Sequence, residues 1–181
     1  MAAKRGNQTV WNMILSMAFI VAVAGIFYLT NPQDENADAL QAVDYRVELA
    51  TAQRAAPYPV LAPKGLPKDW KPTSVSYERK AGHSWHLGFL DPDREYVAVE
   101  QSTAAPGKYI AKVTHDAEDT GKTAEVGGET WQRLEGSKYD AFVRTEDGVT
   151  TVVTGTAPYE RMIEMLRALE SDNEPQTSGA A

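Results

Sequence analysis

The longest apolar segment of the chain runs from Val10 to Leu29, 20 residues without a charged side chain. Within it, Asn12 and Ser16 are the plainly polar residues, and both lie in the first half. A helix rises about 1.5 Å per residue, so this length spans about 30 Å, the thickness of a bilayer's hydrocarbon core. The pattern predicts one transmembrane helix over residues 10–29, preceded by a short N-terminus over residues 1–9.

The charges that flank this segment predict its orientation. Lys4 and Arg5 precede it, and three acidic residues between positions 34 and 38 follow it. Basic residues are retained on the cytoplasmic side of a membrane. We therefore expect a single-pass protein of the plasma membrane, with a cytoplasmic N-terminus and a C-terminal domain outside.

A cleaved signal peptide is the alternative interpretation of the same segment. Ala22-Val23-Ala24 resembles a cleavage site that follows a short apolar region. The apolar run continues through Leu29, however, and a mature protein that began near Gly25 would expose it. The length of the run favours an anchor that is retained.

Polar and proline-rich segments separate the anchor from the predicted sheet. Residues 30–42 indicate a spacer, and residues 43–56 a helix that either forms a stalk or packs on the domain. Residues 57–72 hold five of the ten prolines, which is typical of an extended strap rather than a helix. Leu66 and Trp70 are expected to anchor this strap on the core.

Beyond the strap, period-two alternation of apolar and polar residues predicts β-strands. The predicted strands cover residues 73–78, 85–89, 96–101, 123–126, 129–134, 140–145 and 149–154. Gly127-Gly128 and Asp147-Gly148 are hairpin turn signals, and Asp91-Pro92-Asp93 indicates another turn.

Two helices complete the predicted domain, over residues 106–115 and 158–169, the second with Thr156 as a cap. Turn, strand and helix follow one another twice, which suggests an antiparallel sheet with both helices on one face. The expected fold class is α+β: a transmembrane helix, then an antiparallel sheet with two or three packing helices over residues 43–170. A disordered tail over residues 171–181 is expected to follow.

Composition narrows the classes of function. After the apolar segment there are 25 acidic and 16 basic residues, a formal excess of nine negative charges. Such a balance argues against a nucleic-acid partner, because nucleic-acid surfaces need clustered Lys and Arg. The chain has no Cys, which excludes disulfides, thiolate catalysis and Cys-ligated metal sites.

Metal-binding chemistry has little support in the sequence. His83 and His86 are close together, but their odd offset on a strand directs them to opposite faces, and His115 is remote in sequence. We expect His83 and His86 to be exposed turn and edge residues. The acidic residues between 116 and 119 are expected to form a solvated loop. We therefore predict no metal-binding residue.

Catalytic motifs are also absent from the sequence. The chain contains no G-x-S-x-G, S-x-x-K, H-E-x-x-H, P-loop or G-x-G-x-x-G pattern. A catalytic triad assembled from residues far apart in sequence stays open. We predict no catalytic or cofactor-binding residue and no cofactor, and the sequence favours a binding protein over an enzyme.

Several segments resemble a known family when they are taken together. They are the basic terminus with its anchor, PYPVLAPKGLPKDWKPTSVSYE, YVAVEQS, VGGETWQRLEG and AFVRTEDGVTTVVTGTAPYERMIEMLRAL. They resemble the actinobacterial membrane-anchored family catalogued as domain of unknown function 4245. The resemblance implies a cell-envelope protein of actinobacteria, and it carries no activity and no functional residue with it.

The expected function is that of a membrane-anchored extracytoplasmic domain that binds an envelope protein or ligand. One alternative is a carrier or sensor for an apolar small molecule, with a pocket lined by Trp85, Leu87, Met162 and Met165. A second alternative is an envelope enzyme with a dispersed acidic site, which requires convergent carboxylates in a cleft.

Overall fold

The computed structural model describes residues 5–30 and 42–171 of the chain. The chain divides between residues 39 and 40 into an N-terminal and a C-terminal unit. Residues 1–4, residues 31–41 of the predicted spacer and residues 172–181 of the predicted tail lie outside the described part.

The N-terminal unit contains helix α1 (Arg5–Thr30), 26 residues long, which includes the predicted span. Large apolar side chains along it are exposed, among them Trp11, Met17 and Phe19. In the part of the chain that the structure describes, no helix has both the length and the apolar character that crossing a membrane requires.

The C-terminal unit contains three α-helices, one short 3-10 helix (Arg79–Ala81) and nine strands in its described residues. The helices are α2 (Arg46–Ala55), α3 (Pro106–Thr114) and α4 (Tyr159–Ala168). The strands are β1 (Leu61–Pro63), β2 (Lys71–Glu78), β3 (Ser84–Leu90), β4 (Tyr96–Ser102), β5 (Glu118–Val126), β6 (Glu129–Glu135), β7 (Asp140–Glu146), β8 (Val149–Gly155) and β9 (Leu169–Ser171).

Seven strands form one antiparallel sheet in the order β2-β3-β4-β8-β7-β6-β5, and β1 pairs with β9 in a separate two-stranded sheet. The predicted α+β class is therefore confirmed. Each half of the large sheet is a meander that ends in a helix, and β4 and β8 join the halves in antiparallel pairing. This arrangement matches the repeated order of turn, strand and helix in the sequence.

The helices α3 and α4 lie on opposite faces of the sheet, so the prediction of both on one face was wrong. Val152 and Val153 are neighbours on β8 and are both completely buried. Val152 packs in a cluster with Tyr109 of α3, whereas Val153 packs with Met162 of α4. Since successive side chains on a strand point to opposite faces, each face of β8 needs its own cover.

The segment before the sheet packs on the domain rather than forming a free stalk. Helix α2 begins at Arg46, later than the predicted Val43, and its Ala52 is completely buried in the core. The proline-rich strap lies over the same core, with Trp70 buried and Leu66 partly buried. Its residues 61–63 form β1, which pairs with a β9 that local patterning did not predict.

Two local predictions were wrong. Glu118 and Asp119 begin strand β5 rather than forming a solvated loop, and they pair with residues of β6. Thr156 does not cap α4. Its hydroxyl contacts the carboxylate of Glu95 and accepts a hydrogen bond from the backbone N–H of Tyr96.

Candidate functional site

The face of the sheet that carries α3 is apolar in one half and polar in the other. Helix α3 packs against β7 and β8, where Tyr109, Ala141 and Val143 form an apolar cluster. On the same face, β2, β3 and β4 present polar side chains that include Ser74, Ser76, Ser84, His86 and Glu100. This half of the face adjoins an open groove rather than a packed core.

The groove has a volume of about 310 Å³. We call it the polar groove, and define it by its lining residues Ser76, Glu78, Ser84, His86, Tyr96, Ala98, Glu100, Lys112, Val113, His115, Tyr139 and Thr154. The lining combines hydroxyls, carboxylates, one lysine ammonium, two imidazoles and two tyrosine rings. It therefore suits a polar ligand better than a hydrocarbon.

Strand register brings the central side chains of the groove together. His86 of β3 lies directly opposite Ser76 of β2 and opposite Glu100 of β4. Ser74 is two residues from Ser76, so it lies on the same face and diagonally across from His86. The sheet thus aligns one hydroxyl, one imidazole and one carboxylate on three adjacent strands.

The imidazole of His86 and the carboxylate of Glu100 form a close pair inside the groove. His86 Nδ1 lies 2.6 Å from Glu100 Oε1, and the Tyr109 hydroxyl donates to Oε2 over 3.3 Å. The side chain of Glu100 is 11% exposed and that of His86 is 25% exposed. Burial of a carboxylate without hydrogen-bond partners is unfavourable, and these two contacts offset part of that cost for Glu100.

The other ring nitrogen of His86 contacts Ser74. His86 Nε2 lies 2.8 Å from Ser74 Oγ. When the Nδ1 proton is donated to the carboxylate, Nε2 of the neutral ring is left as an acceptor for the Ser74 hydroxyl. Ser74, His86 and Glu100 therefore form one continuous hydrogen-bonded chain, which we call the Ser-His-Glu chain.

A glycine makes the room for this chain. A Cβ at Gly88 would lie 2.4 Å from Ser74 Oγ and 2.8 Å from the Tyr96 hydroxyl oxygen. The Tyr96 hydroxyl is also a hydrogen-bond partner of Ser74. The missing side chain at position 88 thus lets two hydroxyls meet above β3 beside the groove.

We expect Gly88→Ala to lower the free energy of unfolding by about 1–3 kcal/mol, because its methyl group must displace Ser74 or Tyr96. Chemical denaturation of the variant measures this loss. In a Ser74→Ala background the same substitution should cost less, since the nearest obstructing atom is gone. An equal cost in both backgrounds would show that Ser74 does not occupy this space.

Three tyrosines have a raised pKa: Tyr96 and Tyr109 beside the Ser-His-Glu chain, and Tyr58 in the core on the other face of the sheet. Burial, opposed in part by a hydrogen bond with Ser74 and supported by Glu100, raises the pKa of Tyr96 to about 12. Burial, together with the charge of Glu100, raises the pKa of Tyr109. Burial and nearby Tyr77 raise the pKa of Tyr58. These phenols act as neutral donors across the physiological pH range.

The raised pKa values predict unfolding in alkali. The folded chain keeps tyrosine protons that the unfolded chain releases near pH 10. The contribution of these tyrosines to the free energy of unfolding is therefore fully present below about pH 10 and is lost as the pH rises toward 12. Denaturant titrations at a series of pH values, with tyrosinate absorbance, measure this loss. Tyr96→Phe should flatten part of the decline between about pH 10 and 12. A decline as steep as that of the unaltered chain would exclude Tyr96 as a contributor.

The three histidines have different surroundings. His86 is neither at a sheet edge nor exposed, because β3 lies between β2 and β4; that prediction was wrong. His115, distant in sequence, lines the same groove, and its Nε2 lies 3.0 Å from Lys138 Nζ. His83 is partly buried and contacts the Tyr77 hydroxyl through Nδ1 at 2.7 Å.

Metal ligands and an apolar pocket are the other candidate sites that the sequence raised. Among the described residues, no group of three or more His, Asp or Glu side chains is arranged to hold a metal ion. The side chains that were expected to line an apolar pocket are instead fully buried in the core: Trp85, Leu87, Met162 and Met165. They line neither the polar groove nor a smaller groove of about 180 Å³ beside the turn that joins β7 to β8.

Sequence reasoning missed the Ser-His-Glu chain because its members are distant along the chain. Ser74 and His86 are 12 residues apart, and His86 and Glu100 are 14 apart. The available signal was the pair of short connections between three predicted strands. Pairing those strands in hairpin register would have placed His86 close to both partners.

Comparison with known proteins places most of the chain in one family. A comparison with curated protein sequences found no match. Residues 5–169 match the family described as protein of unknown function DUF4245. This match includes α1, the strap, the large sheet and the three helices that pack on it. The chain therefore belongs to the DUF4245 family.

Proposed function

We propose that this protein is a membrane-anchored extracytoplasmic domain that binds an envelope protein or ligand in its polar groove. The observation that supports the proposal is the paired His86 and Glu100 in the groove wall. A histidine–carboxylate pair that is largely buried contributes little to stability compared with apolar residues of similar size. Its presence beside a groove is more typical of a recognition site than of a structural device.

The proposed membrane attachment rests on the N-terminal segment. The 20 uncharged residues from Val10 to Leu29 lie within α1, whose large apolar side chains include exposed Ile20 and Val21. An apolar helix of this kind needs a lipid or protein cover. With Lys4 and Arg5 on the cytoplasmic side, the domain lies outside the plasma membrane. We place it in the cell envelope of an actinobacterium.

The proposed partner is polar, and the groove offers it charges of both signs. Glu78 and Glu100 supply acidic groups, while Lys112 and His115 belong to the end of the groove formed by α3 and the residue after it. A ligand or protein loop with both a cationic and an anionic group matches this arrangement.

Crosslinking in intact cells tests the proposal. The full chain, a Lys112→Glu variant and a Lys108→Glu variant are compared after crosslinking, membrane isolation and purification. Both lysines are exposed on α3, but Lys112 lines the groove and Lys108 does not. We expect a partner or envelope component that is enriched with the unaltered chain and with Lys108→Glu, and is depleted at least about tenfold with Lys112→Glu.

Two outcomes would overturn the proposal. Recovery of the chain in the soluble fraction would contradict the anchor. Enrichment that is absent, or that both lysine variants reduce equally, would contradict binding in the groove. Circular dichroism of the purified variants confirms that each substitution leaves the fold intact.

A further inference from the structure

The strongest unassigned feature of the molecule is the Ser-His-Glu chain, because its order of groups is that of a nucleophile, a base and an orienting carboxylate. Such a triad is recognised by geometry and not by sequence position. We propose that Ser74, His86 and Glu100 hydrolyse carboxylic esters of short acyl chains bound in the polar groove. This hydrolysis would take place in the same polar groove to which the proposed function assigns binding, and it rests on that assignment.

The contacts within the chain meet the geometric requirements. The distance of 2.8 Å from Ser74 Oγ to His86 Nε2 lies within reach for proton transfer. The distance of 2.6 Å from His86 Nδ1 to Glu100 Oε1 fixes the tautomer that leaves Nε2 free to accept a proton. Glu100 does not contact the substrate in this scheme, so it is a positioning residue.

The surroundings supply the remaining parts of a hydrolytic site. Ser74 is half-buried beside the groove, and its two neighbours His86 and Tyr96 line it. The absent Cβ of Gly88 lets Ser74 Oγ and the Tyr96 hydroxyl approach each other. A tyrosine hydroxyl is a suitable donor to a developing oxyanion, and the raised pKa of Tyr96 keeps its proton in place.

The reaction proceeds in two balanced steps. Ser74 Oγ attacks the ester carbonyl carbon while His86 Nε2 takes the hydroxyl proton, and Tyr96 donates to the oxyanion. The C–O bond to the alcohol then breaks, and the alcohol leaves with the proton from His86. A water molecule next attacks the acyl-serine and gives one proton to His86. The acyl–Ser74 bond breaks, a carboxylic acid is released, and His86 returns the proton to Ser74.

The lining of the groove determines the class of ester. Ser76, Ser84 and Thr154 present hydroxyls, and charged groups of both signs surround them. A long acyl chain would have to be buried against these polar groups, which is unfavourable. The volume of about 310 Å³ accommodates a small acyl group together with part of a polar alcohol. We therefore assign the substrate as a short-chain acyl ester of a hydroxylated molecule.

The test uses the full chain in detergent with 4-nitrophenyl acetate as substrate and a fluorophosphonate as covalent probe. We expect hydrolysis above the buffer rate and a fluorophosphonate adduct that mass spectrometry locates on Ser74. Ser74→Ala should lower kcat/KM at least about 10³-fold and abolish the adduct. Thr73→Ala is the matched control, since it removes a hydroxyl from the neighbouring residue of the same strand, which does not line the groove, and it should change the rate less than about threefold.

Two further measurements separate catalysis from structure. Glu100→Gln should lower kcat about 10²-fold or more with KM unchanged, and Glu100→Asp should restore part of the rate. 4-Nitrophenyl palmitate should react more slowly than the acetate. Labelling of another residue, or equal rates for the unaltered chain and Ser74→Ala, would overturn the inference. If hydrolysis fails in this way, a Ser74→Ala variant that still enriches its crosslinked partner would continue to support the proposed binding function.

Discussion

Trp85→Ala is expected to lower the free energy of unfolding by about 3–5 kcal/mol. The indole of Trp85 is completely buried in the core between the sheet and α4, and its Nε1 donates to the carbonyl oxygen of Leu61 over 3.0 Å. The substitution leaves a large cavity, because neighbouring side chains collapse only partly into the space. It also removes a hydrogen bond between β3 and the strap. Denaturation in urea measures the loss as a lower midpoint with an unchanged slope.

Two control variants divide this loss into its parts. Trp85→Phe retains most of the packing and removes the donor to Leu61, so we expect a loss of about 1–2 kcal/mol. Trp11→Ala removes an indole that is 63% exposed, and should change the unfolding of the C-terminal unit by less than about 0.5 kcal/mol. If Trp85→Ala cost no more than Trp11→Ala, the placement of Trp85 in the core would be wrong.

Trp85 also connects the core to the polar groove. It precedes His86 on β3, so the two side chains lie on opposite faces of the same strand. Packing of the indole therefore holds the strand that presents the imidazole. A milder variant such as Trp85→Phe should retain the His86–Glu100 contact.

Patterns of residues close together in the sequence predicted most strands and turns correctly. Apolar Trp85, Leu87 and Phe89 alternate along β3, and all three are buried in one cluster. The turns at Gly127-Gly128 and Asp147-Gly148 have positive φ at both central residues, as the hairpin signal requires. The carboxylate of Asp91 accepts hydrogen bonds from backbone N–H groups of its own turn. These features depend on residues close together in sequence.

The placement of the helices could not be predicted in the same way. Whether α3 and α4 share a face depends on which side of β8 each one covers, and both sides of β8 are buried. Likewise, β9 exists because residues 169–171 meet β1, more than a hundred residues earlier in the chain. Such contacts are set by tertiary packing, and periodicity within a segment does not contain them.

The candidate site was predictable in part. The alternation of His86 with apolar neighbours correctly indicates a side chain on the face away from the core. Its meeting with Ser74 depends on the pairing of β2 with β3, which is regular from Ser74 to Glu78 and shifts only before Ser74. The alternation of Ser74 with Thr73 and Val75 predicts only that its side chain faces away from the core. Which side chain it contacts is known only once the strands are paired.

Gly155→Ala is expected to destabilise the fold by at least about 3 kcal/mol. A Cβ at this position would lie 1.8 Å from the carbonyl oxygen of Tyr96, so the obstructing atom belongs to the backbone. Gly155 ends β8, where it lies opposite both Val97 of β4 and Asp140 of β7. Relief of the clash must therefore move a strand rather than rotate a side chain. Thermal unfolding of the variant measures the effect.

Gly107→Ala is the matched control, because no atom lies within 4 Å of its added Cβ and the residue is in helix α3. It should stabilise the chain by about 0.5–1 kcal/mol, since alanine favours a helix over glycine. The displaced oxygen of Tyr96 also accepts the backbone N–H of Thr156, so the strain at residue 155 reaches the strand that carries Tyr96 and Glu100. Gly155→Ala should consequently weaken groove-dependent crosslinking even where the protein remains folded. Equal stability of the two alanine variants would contradict the close approach of β8 to β4 at Tyr96.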